Sequence, residues 1–226
     1  MVHHMKTVLK FVAVLMTLSI HFTLNACKDD DSDEPTPTTN TEPKDTVVEV
    51  STSYGNMVLY MYKGTPMHRA NFHKLVGQGF YDSTEFHRII PNFMIQGGDP
   101  LSKDDNRNND GTGGPGYTIP AEIDSSKYKH IVGAVAAARQ SDDVNPLRAS
   151  SGSQFYIAVS ESGTKHLNGA YTVFGRVLNG IETANTIVGQ PRNTGNNRPN
   201  ERIKMAMKLV PMTKAEIKAK YNFDAE

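Results

Sequence analysis

The chain of 226 residues has a single cysteine, Cys27, so no intramolecular disulfide framework can hold it together. It lacks an excess of either charge, with Lys+Arg and Asp+Glu at 24 each. Basic residues are nowhere concentrated with aromatics, which argues against a nucleic-acid partner. The mostly apolar run from Phe11 to Leu24 is 14 residues long, whereas a membrane-spanning helix needs about 20. There is no repeat at a solenoid or propeller period. HExxH is absent, and His68, His73, His87, His130 and His166 are scattered with no cysteine partner, so zinc is not expected. GxSxG is also absent, which removes the commonest esterase signature.

What is present at the N-terminus reads as targeting. Lys6 and Lys10 precede the Phe11–Leu24 run, and residues 1–26 fit a signal peptide better than a spanning helix. The run ends at Leu24-Asn25-Ala26-Cys27, which resembles a bacterial lipobox, with Asn25 an unusual member. That resemblance implies a lipidated Cys27 and a membrane contact through the lipid. The acidic, Pro/Thr-rich segment 27–45 cannot bury apolar area and reads as an extended, disordered tether. A Cys followed by Lys and a run of acids is similar to the export signal of Bacteroidetes surface lipoproteins. Either the periplasmic face of the outer membrane or the cell surface fits. From Cys27 onward the count is 22 basic against 24 acidic side chains, a mildly acidic module.

The rest is rich in short β-like runs: Thr46–Ser51, Met57–Tyr62, Glu85–Ile90, Phe93–Gly97, Val132–Ala138, Gln154–Val159, Val173–Val177 and Ile203–Val210. Tyr54-Gly55-Asn56 signals a hairpin. Thr65-Pro66 offers an N-cap and first turn for a helix whose apolar face is Phe72, Leu75 and Val76. A second helix should follow Asn179-Gly180, with Ile181, Ala184, Ile187 and Val188 as its stripe and Gly189-Gln190-Pro191 as its stop. Many strands and two short helices suggest a mainly β domain built as a closed antiparallel barrel. Residues 46–212 are its expected extent. Residues 213–226 form a tail of helical composition.

The densest chemistry lies at Phe86-His87-Arg88-Ile89-Ile90-Pro91-Asn92-Phe93-Met94-Ile95-Gln96-Gly97-Gly98-Asp99. Arg88 and Gln96 stand among apolar residues, and an unpaired buried charge is costly. Arg88 must therefore be paired with a carboxylate at the barrel edge or aimed into a cleft. His87 reads as structural. Gly111-Thr112-Gly113-Gly114-Pro115-Gly116 formally satisfies GxGxxG, but no strand precedes it and no helix follows, so it reads as a surface loop rather than a nucleotide site.

The Phe86–Asp99 stretch closely resembles the signature of the cyclophilin family of peptidyl-prolyl isomerases. Ala70-Asn71-Phe72, Gly79-Phe80-Tyr81-Asp82, Gly152-Ser153-Gln154-Phe155-Tyr156-Ile157, Leu167-Asn168-Gly169 and Val173-Phe174-Gly175-Arg176-Val177 recur in that family's order. The resemblance implies an eight-stranded antiparallel barrel with a helix over each mouth and a monomer that needs neither cofactor nor metal. It also implies proline-containing polypeptides as substrates. It casts Arg88, Gln96 and Phe93 as the catalytic set. Phe93, Met94, Tyr156 and Leu167 would line the proline pocket, and Ala138, Arg139 and Gln140 would flank the preceding residues of the peptide.

Three residues depart from the family pattern. Tyr156 replaces the usual Phe, so its hydroxyl needs a partner or water. Tyr171 stands where many members have His, and changes the rim. His166 stands where cyclosporin-sensitive members carry Trp, which implies weak binding of that drug. Two non-enzymatic readings compete: a peptide-binding chaperone using the same groove, and a scaffolding lipoprotein indifferent to Arg88.

Overall fold

The computed structural model describes residues 43–226. The signal segment, Cys27 and nearly all of the tether lie outside the described residues. Strand β1 (Lys44–Thr52) turns through Tyr54 into β2 (Gly55–Met61), with Val50 opposite Met57 and Val48 opposite Leu59. These four side chains point into the core. Then come helix α1 (Pro66–Gly77) and the short hairpin of β3 (Arg88–Ile90) and β4 (Met94–Gly97). β5 (Thr118–Ile119), β6 (Ala134–Ala137), β7 (Ser150–Ser151), β8 (Phe155–Ala158) and β9 (Val173–Asn179) follow. Helix α2 (Ile181–Val188), β10 (Met205–Thr213) and helix α3 (Lys214–Tyr221) complete the chain.

Eight strands form one antiparallel sheet in the order β10-β1-β2-β9-β6-β8-β4-β3, while β5 and β7 pair separately. The expected barrel is not closed by a continuous ladder. β10 and β3 stand at opposite ends of the order, and an isolated bridge, Glu85 to Lys204, joins the segments leading into them. Because β3 begins only at Arg88, the preceding residues meet 203–205 through single bonds such as Phe86 N–H to Ile203 O (2.9 Å). The sheet wraps one core cluster that takes in Phe72, Leu75 and Val76 of α1 and Ala184, Ile187 and Val188 of α2.

Two local expectations change. Thr65 occupies the N-cap of α1, but its side chain makes no capping bond. Glu122 does that work from a distant loop, its carboxylate accepting the amides of Met67 (3.0 Å) and His68 (2.9 Å) at the positive end of the helix. The tether boundary also shifts, because β1 begins at Lys44 and pairs at once with Thr213 and Met212 of β10. The reason is Asp45. Its buried carboxylate accepts from Arg69 (2.5 Å), the Thr46 amide (2.7 Å) and Tyr60 (3.0 Å), with Lys63 at 3.2 Å. The tail likewise packs as an element: α3 has a Thr213/Glu216 capping box, and Phe223 lies 5.0 Å from Tyr60.

Asp45 gives the fold a defined acid sensitivity. Burial alone would raise its pKa, but the bonds and charge of Arg69, Thr46 and Lys63 outweigh burial and hold it at about 2. A folded pKa below the unfolded one stabilises above the unfolded value and loses that contribution as pH falls. The contribution, about 1–2 kcal/mol after solvent screening, should disappear between roughly pH 4 and pH 2. Urea titrations across that range should show the decline in wild type and a flatter profile in Asp45→Asn.

Candidate active site

The β3–β4 hairpin sets Arg88 directly opposite Gln96 and Ile89 opposite Ile95. Successive residues of a strand face opposite sides of a sheet. Ile89 and Ile95 therefore enter the core while Arg88 and Gln96 share the other face. The same row continues across the sheet, because Gln96 pairs with Tyr156 on β8 and Tyr156 with Ala136 on β6. One line of residues across four strands thus builds the floor of a site. Gly98, with φ +87°, lets β4 approach β8 closely, since a side chain there would strike the Ser153 carbonyl.

A cavity of about 160 Å³ opens on this row. Arg88, Phe93, Met94, Gln96, Ala138, Arg139, Tyr156, Leu167 and Tyr171 line it. Nine of the residues expected at the site therefore converge here. Gln140 does not reach the cavity; it lines a neighbouring groove of about 860 Å³ that shares Ala138 and Arg139. His166 also stays outside the cavity, stacking on Phe93 at 5.7 Å and 28°. Cys27 lies outside the described residues.

Arg88 is half-buried, and among the described residues no carboxylate forms an ion pair with it. Burial lowers the pKa of its guanidinium from the ordinary value, opposed by Tyr171. An arginine nonetheless stays charged in proteins. A relay of amides holds it: Arg88 Nη1 donates to Gln96 Oε1 (3.2 Å), and Gln96 Nε2 donates to Gln154 Oε1 (3.0 Å). Gln154 Nε2 then donates to the carbonyls of Gly111 (3.0 Å) and Gly113 (2.8 Å). That last step fixes which way both amides point, because only an NH₂ can face two carbonyls. Gln154 was not among the expected site residues, although it stands beside Phe155 and Tyr156 in a motif singled out above.

The glycine-rich loop is committed elsewhere. The amides of Gly111 and Gly113 and of Leu101 donate to the fully buried Asp99 carboxylate, so they are not free to cradle a phosphate. His87 is buried, and burial pulls its pKa down to about 4, which keeps it neutral.

The opposite wall is tied down by two arginines. Arg139 lies 4.4 Å from the Tyr171 ring, donates Nε–H to the Ala170 carbonyl (2.7 Å) and pairs with Asp142 at 2.6 Å. Asp142 also pairs with Arg148 (2.9 Å), which donates to the Gly169 carbonyl (2.7 Å). The 139–148 segment thereby holds the Leu167–Tyr171 wall in place. The assembled site sets two cations on an aliphatic and aromatic cavity, Arg139 paired with Asp142 and Arg88 without an ion pair among the described residues. No carboxylate or imidazole among the lining residues can accept a proton.

Comparison with known proteins identifies the family and the fold. Residues 47–208 match the family model for cyclophilin type peptidyl-prolyl cis-trans isomerases. The chain is 44% identical over 115 residues to peptidyl-prolyl cis-trans isomerase B of Bacillus subtilis, covering 51% of this chain and 70% of that one. It is 35% identical over 164 residues to human peptidyl-prolyl cis-trans isomerase-like 1, covering 70% and 88%. A crystal structure of a Cryptosporidium parvum cyclophilin type peptidyl-prolyl cis-trans isomerase, determined in the presence of the dipeptide Ala-Pro, superposes with a TM-score of 0.63 at 30% identity. That match covers 74% of this chain and 99% of the other. The chain belongs to the cyclophilin-type peptidyl-prolyl cis-trans isomerases.

Proposed function

We propose that the cavity grips the proline of an Xaa-Pro bond in a flexible polypeptide and that Arg88 stabilises its twisted amide. Rotation must break amide resonance, at a barrier of about 18–20 kcal/mol. As the C–N bond twists, the carbonyl loses polarity and the proline nitrogen gains a localised lone pair. A fixed donor aimed at that nitrogen stabilises the twisted state more than either planar one. No proton needs to move.

The observation that carries this reading is the relay Arg88–Gln96–Gln154–Gly111/Gly113, which fixes a charged donor at the edge of an apolar cavity. Phe93, Met94, Tyr156 and Leu167 supply the walls and exclude water, which would favour the planar, dipolar amide. An acceleration of about 10⁴-fold needs roughly 5–6 kcal/mol, within reach of one charged hydrogen bond plus desolvation. The relative whose structure was determined in the presence of Ala-Pro supports a proline-containing peptide as ligand here too. The test is a protease-coupled assay on a proline-containing tetrapeptide; acceleration supports the reading, and a rate no faster than the uncatalysed one ends it.

Three finer points belong to the same reading. The Glu85–Lys204 bridge supports treating the sheet as a barrel closed at one place. The domain acts as a monomer. Lys6, Lys10, the Phe11–Leu24 run and Cys27 support a lipid anchor on the outer membrane, with folding of envelope or exported proteins as the task. Cys27→Ala should then shift the protein from the membrane to the soluble fraction on fractionation; unchanged membrane recovery would refute the anchor. Protease shaving of intact cells would separate the periplasmic face from the surface.

A further inference from the structure

We propose that His130, which does not line the cavity, is a positioning residue that locks Tyr156 in the proline pocket. The inference rests on the reading of Tyr156 as a pocket wall. Replacing a phenylalanine by tyrosine there buries a hydroxyl, since Tyr156 is only 5% exposed. A buried hydroxyl without a partner is costly, and whatever satisfies it also fixes the ring.

Among the described residues the partner is His130, whose Nε2 lies 2.9 Å from the Tyr156 hydroxyl. The other ring nitrogen settles the direction of the bond. His130 Nδ1 lies 2.9 Å from Asn168 Oδ1, an oxygen that also accepts the His130 amide at 2.9 Å. An amide oxygen can only accept, so Nδ1 carries the proton and Nε2 is left as the acceptor for the tyrosine O–H. Burial foremost, with His166 nearby, lowers the imidazole's pKa against the pull of Asn168, consistent with this neutral tautomer.

The imidazole is itself immobilised. His130 is 1% exposed, and its backbone carbonyl accepts the Thr164 amide at 2.8 Å. Its ring runs nearly parallel to Tyr156 (6.0 Å between centroids, 11°) and edge-on to Tyr171 (6.5 Å, 87°). Through Asn168 it also grips the residue after Leu167. One histidine behind the cavity thus touches two of its walls directly and a third through the adjacent residue. In a chain with phenylalanine at 156 this bond could not exist, so the larger part of the dependence on His130 is created by the tyrosine, the contacts to Tyr171 and Asn168 leaving a smaller part.

The experiment compares His130→Leu in two backgrounds, wild type and Tyr156→Phe, with kcat and KM measured on one Xaa-Pro peptide. In wild type, His130→Leu orphans the hydroxyl and should lower kcat/KM about tenfold, chiefly through KM, since the ring packs on proline in ground and transition states alike. In the Tyr156→Phe background the same change should cost less than about threefold. His130→Gln places an amide oxygen near the Nε2 position and should recover most of the loss, which keeps the test valid should His130→Leu fold poorly. Equal losses in both backgrounds, or no loss in wild type, would overturn the proposal. A wild-type enzyme that fails to accelerate the reaction at all would instead overturn the functional reading beneath it.

Discussion

Arg88→Ala should lower kcat/KM by about 10²–10³-fold while leaving the far-ultraviolet circular dichroism and the melting temperature near those of wild type. The magnitude is that of removing one preorganised donor from a site where charge localises in the transition state. Its confinement to activity follows from Arg88's surroundings. Its guanidinium is half-buried, makes no ion pair among the described residues, and bonds to a single side-chain oxygen, that of Gln96. Deleting it orphans no buried carboxylate, so the large stability cost of breaking a buried pair does not arise.

Arg88→Lys discriminates between charge and geometry. An ammonium keeps the charge but cannot present the rigid fork that reaches Gln96 and the substrate nitrogen together. Its kcat/KM should fall between those of wild type and alanine. Alanine with near-normal activity would sink the mechanism, whereas lysine with full activity would show that charge alone suffices. The non-catalytic chaperone reading predicts that peptide affinity, not turnover, responds to Arg88.

Why Arg88 was legible in the sequence, and its supports were not, follows from how far each signal travels. A guanidinium and an amide eight positions apart in an apolar stretch conflict with a core role, and that conflict is visible locally. Short β-rich runs separated by turn residues likewise gave the β-rich character, since composition of that kind is also visible locally. Gln154, His130 and Glu122 carry no local conflict. Each is an ordinary polar residue in a loop or strand entry, and its role exists only once a partner 26 to 58 positions away is brought to it. Asp45 reads as one more acid of the tether until Arg69 and Tyr60 are seen around it. The tail was read from its helical composition alone; its Thr213/Glu216 capping box has the local spacing such boxes require and went unread. The isolated bridge between the segments leading into β3 and β10 has no local signature, since strand ends depend on which neighbour supplies the last bonds.

Phe155→Ala should produce the opposite dissociation from Arg88→Ala, a large loss of stability with the chemistry of the folded enzyme preserved. Phe155 is 1% exposed and meets Phe72 at 5.6 Å, Tyr81 at 5.9 Å and Phe86 at 6.2 Å, each nearly perpendicular to it. Its ring also abuts the bare Cα of Gly98, where β4 passes β8. Truncating it removes the residue that joins α1, the segment before β3 and β8, and leaves a cavity bounded by rigid rings that collapse poorly. Such changes cost about 3–5 kcal/mol. For a domain of this size that corresponds to a fall in melting temperature of roughly 6–20 °C. Yet Phe155 and Tyr156 are neighbours on one strand and face opposite sides, the first into the main core and the second into the pocket cluster. Measured well below its own melting point, the variant should therefore keep kcat/KM within about threefold of wild type, because the hydrogen-bonded row Arg88–Gln96–Tyr156 is carried by backbone pairing and the His130 bond. Calorimetry and the isomerase assay on the same preparation decide the matter. A collapse of activity at temperatures where the variant is fully folded would mean that the core face of β8 positions the site directly, and that the two faces of the strand do not divide stability from catalysis.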